Sequence, residues 1–552
     1  MKFRTAVIFM AITFMFIFLP GNRVAGDQRQ QVPLEDFKSP LNSLIAGKNS
    51  TLQLTSDDWG WGYTSAEFEV ALYGENPAVA QCNPGEYLVV FEKEYEIYAQ
   101  RVTEDGKQLG EALQIIGLPY RNSEPAVACD PIRDIFLVVW KYEYTSTDYD
   151  IYARAIFGSH QESGSQFFSD SILVAGSTDH EQQPSVSCNS DDHTCLVVYK
   201  KDNDVGGADI YANRVDIGTS SISTGSPFVI FSYSNWQNSP DVVWGSNEDE
   251  FLIVWMWNKV SEGYRIAYTT VWDTEQTVAQ LKEGVYDLLG YGDYTQDQTS
   301  PDVTYNPNAN KYLVVFDYGN IYDSIMGQRL DKSLSGDTVP LGNLFEIYDG
   351  SVNLSSEPTV AYNEHADKYL VTYCYEYSNN FYVWGQPVKD TYGSSGSLLD
   401  GEAIFLSIME ENPGDYWTYY TDIAASLYNN IFLVVWRFSE TGSEEGIYGR
   451  SIMPLMNGSP YFTSSPIKSC SVDEDYTYPI SAADPNEPEG DYLIFTAPTL
   501  PAWLTLTDNW DGSGTLTGKP DQDDIGDHPV TLEVKDAKGE SATQSFTISV
   551  TQ

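Results

Sequence analysis

The stretch "IFLVVW" stands twice in the chain, at Ile135–Trp140 and at Ile431–Trp436. Six identical residues so far apart mark an internal repeat. Relaxing the pattern to relatives of "LVVW" gives seven copies: Leu88–Phe91, Leu137–Trp140, Leu196–Tyr199, Leu252–Trp255, Leu313–Phe316, Leu370–Tyr373 and Leu433–Trp436. Each ends in an aromatic residue. Twelve residues before the leucine (eleven in the first copy) stands a proline: Pro77, Pro125, Pro184, Pro240, Pro301 and Pro358. Thr421 takes that slot in the seventh copy. The proline usually opens a short run such as "PAVAC" at Pro125 or "PDVTY" at Pro301.

Downstream of most copies comes a segment such as "IYAQR" (Ile97–Arg101) or "IYANR" (Ile210–Arg214), then a glycine-containing turn and a further apolar run such as "EALQII" (Glu111–Ile116). Each unit therefore reads as four strands separated by Asn/Asp/Gly/Pro turns, without helical periodicity. Unit lengths of 48 to 63 residues suit four-stranded propeller blades. The "LVVW" run is apolar on both faces, which fits an interior strand packed between neighbouring blades. No blade could bury that surface alone, so the ring must close. The seventh unit lacks a last strand after "IYGR" (Ile447–Arg450), whereas an orphan strand, "EFEVALY" (Glu67–Tyr73), precedes the first proline. That strand is expected to complete blade seven. The expected fold is all-β: a seven-bladed β-propeller over 66–455, followed by a separate β-sandwich over 459–552.

Met1–Gly26 reads as a secretory leader, with Lys2 and Arg4 before an apolar run and small residues at Val24–Gly26. The run is short for a membrane span and nothing comparable follows, so the mature chain is expected to be exported, secreted or at the cell surface. Residues 27–65 read as a linker. The chain carries 79 Asp+Glu against 30 Lys+Arg, a net charge of −49. So acidic a surface repels phosphate backbones and anionic lipids, which argues against nucleic acid as a partner. It leaves divalent cations, cationic partners and neutral ligands.

Six cysteines in an exported chain are candidates for pairing. Cys195 takes a slot filled elsewhere by Tyr87, Phe136, Phe251, Tyr312, Tyr369 and Phe432, and Cys188 stands across a short hairpin from it. That substitution suggests a local crosslink; two small buried free thiols are the alternative. Cys82, Cys129, Cys374 and Cys470 have no assignable partner.

From about Ser459 the pattern changes. "LPAWLTL", "GTLTGKP" and "DIGDHPVTLEVKDAKGESATQSFTISV" resemble the Ig-like, dystroglycan-type cadherin-like modules of exported surface proteins. The resemblance implies calcium at one end of a sandwich, with Glu474, Asp484, Asn486, Asp491 and Asp536 at the matching positions. Hard oxygen ligands from separate loops are what Ca²⁺ requires. The loop "DPNEPEGD" is longer than the usual acidic turn, and a solvated loop without metal is the alternative. The propeller units resemble, more weakly, the repeats of bacterial secreted and surface proteins, a likeness that implies architecture but no activity.

The connections separate into two sets. Turns between the proline strand and the "LVVW" strand are nearly constant in length, while those after "LVVW" and those leading into each proline vary widely. The variable set should share one face, around the mouth of the central channel. Tyr and Trp there stand close to Asp, Asn and Gln, a pairing suited to neutral sugars or extended peptides. Trp236, Trp257, Tyr294 and Trp417 are the candidate ligand contacts; packing of a loop or blade edge is the alternative for each. Five histidines show no metal-ligand spacing, and there is no GxSxG elbow. Arg101, Arg154, Arg214 and Arg329 recur at equivalent blade positions, which points to blade-to-blade pairing. The expectation is a non-enzymatic binding or adhesion protein for an extracellular glycan or protein. The rival is a secreted polysaccharide hydrolase or lyase that uses carboxylates at the channel mouth.

Overall fold

The computed structural model describes residues 61–117, 120–146, 148–161, 165–202, 206–259, 262–272, 284–288, 296–319, 324–332, 337–349, 355–377, 380–390, 398–400, 403–407, 416–440, 445–454, 460–483, 493–509, 512–536 and 541–552. The leader Met1–Gly26 lies outside them.

Each of the seven repeat units forms an antiparallel sheet in chain order. Blade one runs Glu75–Asn83, Glu86–Lys93, Glu96–Thr103 and Gln108–Ile116; blade two runs Arg121–Asp130, Ile135–Thr145, Asp148–Phe157 and Ile172–Ala175. The first strands of the other blades are Glu181–Asn189, Gln237–Gly245, Gln298–Asn306, Ser355–Asn363 and Tyr416–Ala425. Each first strand lies against the first strand of the next blade, and the seventh lies against the first. The ring is closed, and the chain is a seven-bladed propeller.

The "LVVW" strands are the reason it closes. Leu137–Trp140, Leu252–Trp255 and Leu433–Trp436 are wholly buried. Alternate residues of each run pack into opposite inter-blade cores: Leu433 and Val435 face the core shared with blade one, Val434 and Trp436 the core shared with blade six. Blade seven is completed by the chain's N-terminal side. Phe68–Leu72 pairs antiparallel with Gly446–Pro454, and Val70 is buried in the seam. A second segment, Trp61–Tyr63, pairs with Ile452–Pro454, and Trp61 packs on Phe432 with ring centroids 5.6 Å apart. The linker expected over 27–65 thus ends early: Trp61 is apolar and finds a buried slot in the ring.

The recurrent arginines bridge blades. Arg101 of blade one donates to the carbonyls of Phe157 and Gly158 in blade two, and Arg154 of blade two reaches back to the carbonyl of Ile115 at 2.6 Å. Arg329 donates to the carbonyl of Asp390, beyond the third strand of blade six. Arg214 pairs with Asp216 on its own strand at 3.6 Å.

Two disulfides are present. Cys188 and Cys195 are joined across the first hairpin of blade three, and Cys82–Cys129 links the first strands of blades one and two. The second pair was not legible in the sequence because its partners lie in different repeats; the shared column becomes visible only once neighbouring blades are set side by side. Disulfides are the mark of an oxidising compartment.

The last segment is a sandwich of two four-stranded sheets. One contains Tyr461–Phe462, Tyr476–Ala483, Ser513–Gly518 and Leu504–Asp508; the other contains Ser469–Ser471, Ser541–Thr551, Gly526–Lys535 and Ile494–Thr499. Tyr478, Ile480 and Leu516 meet Leu532, Val534 and Ile548 in its core. Ser469–Ser471 runs parallel to Ser549–Thr551, which closes one edge.

Candidate functional site

The strand order sorts the connections of the propeller onto two faces. Hairpins between first and second strands occupy one face and are built alike. Asp130, Asn189, Asn306 and Asn363 accept from backbone nitrogens two or three residues ahead, tying the turn to its own start. Asp134, His193, Asp249, Asn310 and Asp367 then take the same left-handed conformation, which Asp and Asn tolerate well. These are structural turns.

On the opposite, loop face, each first strand begins with a bulge just before the proline slot. Its left-handed residue is Asn76, Glu124, Gln183, Ser239, Ser300, Glu357 or Tyr420, with φ between 47° and 55°. Such bulges bend an edge strand and re-aim its side chains. Here they solve a definite problem: the first strand of every blade presents unpaired backbone N–H groups toward the axis. Side chains of the neighbouring blade accept them in successive tiers. In the outer tier, Gln183 N donates to Glu124 Oε2 (2.8 Å), Ser239 N to Gln183 Oε1 (3.0 Å) and Tyr420 N to Glu357 Oε2 (3.1 Å). In the next, Val303 N donates to Asp241 Oδ2 (3.0 Å), Val360 N to Asp302 Oδ2 (2.6 Å) and Val79 N to Asp422 Oδ2 (2.7 Å). Deeper still, Trp244 N donates to Ser187 Oγ (3.0 Å) and Tyr362 N to Thr304 Oγ1 (3.2 Å).

The second tier is chemically lopsided. The residue after the proline slot is Ala78, Ala126, Ser185, Asp241, Asp302, Thr359 or Asp422 in blades one to seven. Blades four, five and seven therefore bring carboxyl groups to the axis, blades one to three only small side chains, and Thr359 of blade six stands between Asp302 and Asp422. Burial raises Asp422 to about 7. Burial, and then the Asp241 charge beside it, push Asp302 well up, while Asp241 also accepts from Ser185 Oγ at 2.6 Å. Two carboxyl groups so close favour sharing one proton. Reading the sequence for motifs missed all three residues; the column after the repeat proline is the signal that would have found them.

The loop face carries seven of the ten exposed aromatic side chains described in the ring: Tyr73, Tyr95, Tyr120, Tyr144, Tyr233, Trp236 and Tyr420. Trp272 and Tyr428 stand on the hairpin side, and Tyr286 lies in the outermost strand of blade four, opposite Tyr268. Trp236 is 41% exposed, and the Lys200 ammonium sits 4.8 Å from its ring centroid. Trp257 is its neighbour, since Asn258 N donates to the Trp236 carbonyl at 3.0 Å. Trp257 itself is only half-buried, packed edge-on between Phe231 (5.1 Å) and Tyr233 (5.9 Å) with Lys259 over its ring. Trp417 lies in Tyr416–Ala425 opposite Ser439. Its side chain, and Tyr294 altogether, lie outside the described residues.

The carboxylates read as calcium ligands do not all come together. Glu474 follows Ser469–Ser471, at the end of the sandwich where Val472 N meets the Thr551 carbonyl. Asp536 follows Lys535, at the far end of the ten-residue strand Gly526–Lys535. A strand of that length spans roughly 30 Å, so one ion cannot take both. Asp536 is buried, and Ile494 pairs with the adjacent Lys535. Asp484, Asn486 and Asp491 lie outside the described residues. Among the described residues, no group of three or more His, Cys, Asp or Glu side chains is arranged to hold a metal ion.

Residues 459–551 match the family model described as "Putative Ig domain". No curated protein matches the chain. Among solved structures, a protein of unknown function from Dyadobacter fermentans is similar at 10% identity and a TM-score of 0.43, covering 72% of this chain and 99% of its own. The alpha-L-arabinofuranosidase of Fusarium graminearum is similar at 12% identity and 0.41, covering 56% and 92%. The periplasmic gluconolactonase of Pseudomonas aeruginosa is similar at 11% identity and 0.42, covering 67% and 96%.

Proposed function

We propose that this is an exported binding protein whose propeller takes a glycan on its loop face. The observation that carries the reading is the distribution of exposed rings: seven aromatic side chains on that face, set among polar and charged groups. Flat, partly exposed rings beside fixed donors and acceptors suit the apolar faces and hydroxyl edges of sugars. The leader-like N-terminus and the two disulfides support export. The C-terminal Ig-like module would act as spacer or second contact. A glycan array with reducing-end detection tests this: retention without cleavage is expected, and absence of retention on every glycan overturns it.

A second reading has its own support. Asp241, Asp302 and Asp422 hold protons more tightly than ordinary aspartates, the property required of a general acid in glycoside cleavage. Release of reducing ends by the wild-type chain, lost in Asp302→Asn, would favour hydrolysis over binding alone.

A further inference from the structure

The hairpin joining the second and third strands of blade one turns in two residues, because Lys93 pairs directly with Glu96. Both turn residues, Glu94 and Tyr95, are left-handed, with φ of 53° and 69°. Such a turn ordinarily takes Asn-Gly, since a side chain at either position crowds the backbone. A tyrosine is among the least suited residues for it. The cost persists only because the surroundings impose it, and Asn122 does so: its backbone nitrogen donates to the Tyr95 carbonyl at 2.8 Å, and its amide at 3.4 Å. That amide also holds the Tyr120 carbonyl at 3.1 Å, and its oxygen accepts from Trp140 Nε1 at 3.0 Å. What the strained turn accomplishes is presentation. Tyr95 is 62% exposed, the most exposed aromatic side chain among the described residues.

Arg121 completes the arrangement. Its guanidinium sits 4.8 Å from the Tyr95 ring centroid. Glu143 stands opposite Arg121 in register, yet the two form no ion pair. Every other arginine among the described residues has a side-chain hydrogen bond or ion pair. Next to Arg121 in the chain, Tyr120 packs on Tyr142 and Tyr144 (centroids 5.6 Å in both cases), and Tyr144 is fixed by its hydroxyl against that of Tyr152 at 2.9 Å.

We infer that Tyr95, Tyr120, Tyr144 and Arg121 form a sugar-binding subsite at the junction of blades one and two, selective for a neutral glycan. The inference rests on the glycan-binding reading and names where on the loop face it acts. Three exposed rings supply stacking surfaces, two of them packed on Tyr142 and the third under the Arg121 guanidinium, which also supplies donors to sugar hydroxyls. Neutrality follows from the surroundings: Glu94, Glu96 and Glu143 stand within a few residues of the rings on a chain of net charge −49, so a polyanion is repelled.

Affinity electrophoresis of the full chain through xyloglucan, galactomannan, laminarin, alginate and polygalacturonate tests this. Tyr95→Gly suits the left-handed turn and removes only the ring; Arg121→Ala removes the guanidinium. Both should keep the wild-type melting temperature or raise it. The expected result is retention by a neutral polysaccharide, weakened about tenfold by each variant. Retention that neither variant alters, but that Trp236→Ala abolishes, overturns the subsite and leaves the glycan-binding reading intact. Retention only by alginate or polygalacturonate, lost in Arg121→Ala, overturns the neutral specificity. Retention by none of the five, together with an empty glycan array, overturns the glycan reading itself.

Discussion

Asp422 in the seventh blade accepts a hydrogen bond at 2.7 Å from the backbone nitrogen of Val79 in the first, across the seam where the ring closes. Burial raises this carboxyl to about 7, against about 3.9 for an aspartate in the unfolded chain. A carboxyl whose folded value lies above its unfolded value stabilises the fold while it is protonated. That contribution is complete below about pH 4 and is lost as pH rises through about 7. Asp241 and Asp302, also raised by burial, act in the same direction. Glu445, held down by Arg437, acts in the opposite one, but it is partly exposed and screened by solvent, so it weighs little. The propeller should therefore melt higher at pH 5 than at pH 8. Asp422→Asn should shrink that difference by an amount on the order of 2–4 kcal/mol, read by calorimetry at the two pH values. An unchanged difference in the variant would remove Asp422 as its source.

The two disulfides should differ in worth. Cys82–Cys129 spans 47 residues and ties two blades, while Cys188–Cys195 spans seven and ties two strands already paired. Loop-closure entropy assigns about 4 kcal/mol to the first and about 2.5 to the second. Thermal unfolding of the double Cys→Ala variants should rank them in that order, with the first the more destabilised. The reverse ranking would mean that the seam between blades one and two is held without its crosslink.

The fold was legible because it is written seven times: one hexapeptide locates the second strand, and the proline locates the first. The clasp was legible as a missing strand at one end and a spare at the other, although Trp61–Tyr63 was not, since three residues carry no period. The site was poorly legible. Asp241, Asp302 and Asp422 look like parts of the repeat, and only comparison down the column shows that three blades carry carboxyls where four carry small residues. Tyr95 was invisible for another reason: nothing in "KEYE" announces a two-residue left-handed turn, because the turn is held through the Tyr95 carbonyl by Asn122 from another blade.

The clasp itself can be tested. Val70 is buried in the seam against Leu433, Val435 and Ile447. Val70→Asp would place a charge there without a partner, at a cost of several kcal/mol. Loss of the cooperative propeller transition is expected, with the Ig-like module still folded by circular dichroism. Val70→Ile should be tolerated, within about 1.5 kcal/mol of wild type. A propeller that melts normally with Asp at this position would mean that blade seven does not depend on the N-terminal strand.

The separation of Glu474 from Asp536 makes the calcium expectation divisible. If an ion binds the Ig-like module as the family resemblance implies, it binds at one end of the sandwich. Asp536 is buried, beside the strand start at Ile494, whereas Glu474 is exposed in a turn at the other end. A buried carboxylate at a loop junction is the better-placed anchor for a hard cation, because packing fixes its oxygens in one position while an exposed side chain in a turn must be ordered by the ion itself. Calcium should therefore raise the melting temperature of the module in the wild type and in Glu474→Gln. It should have no effect in Asp536→Asn, with EGTA reversing the shift where it occurs. A calcium response lost in Glu474→Gln and retained in Asp536→Asn would move the site to the opposite end. No response in the wild type would leave the module's acidic loops as solvated surface.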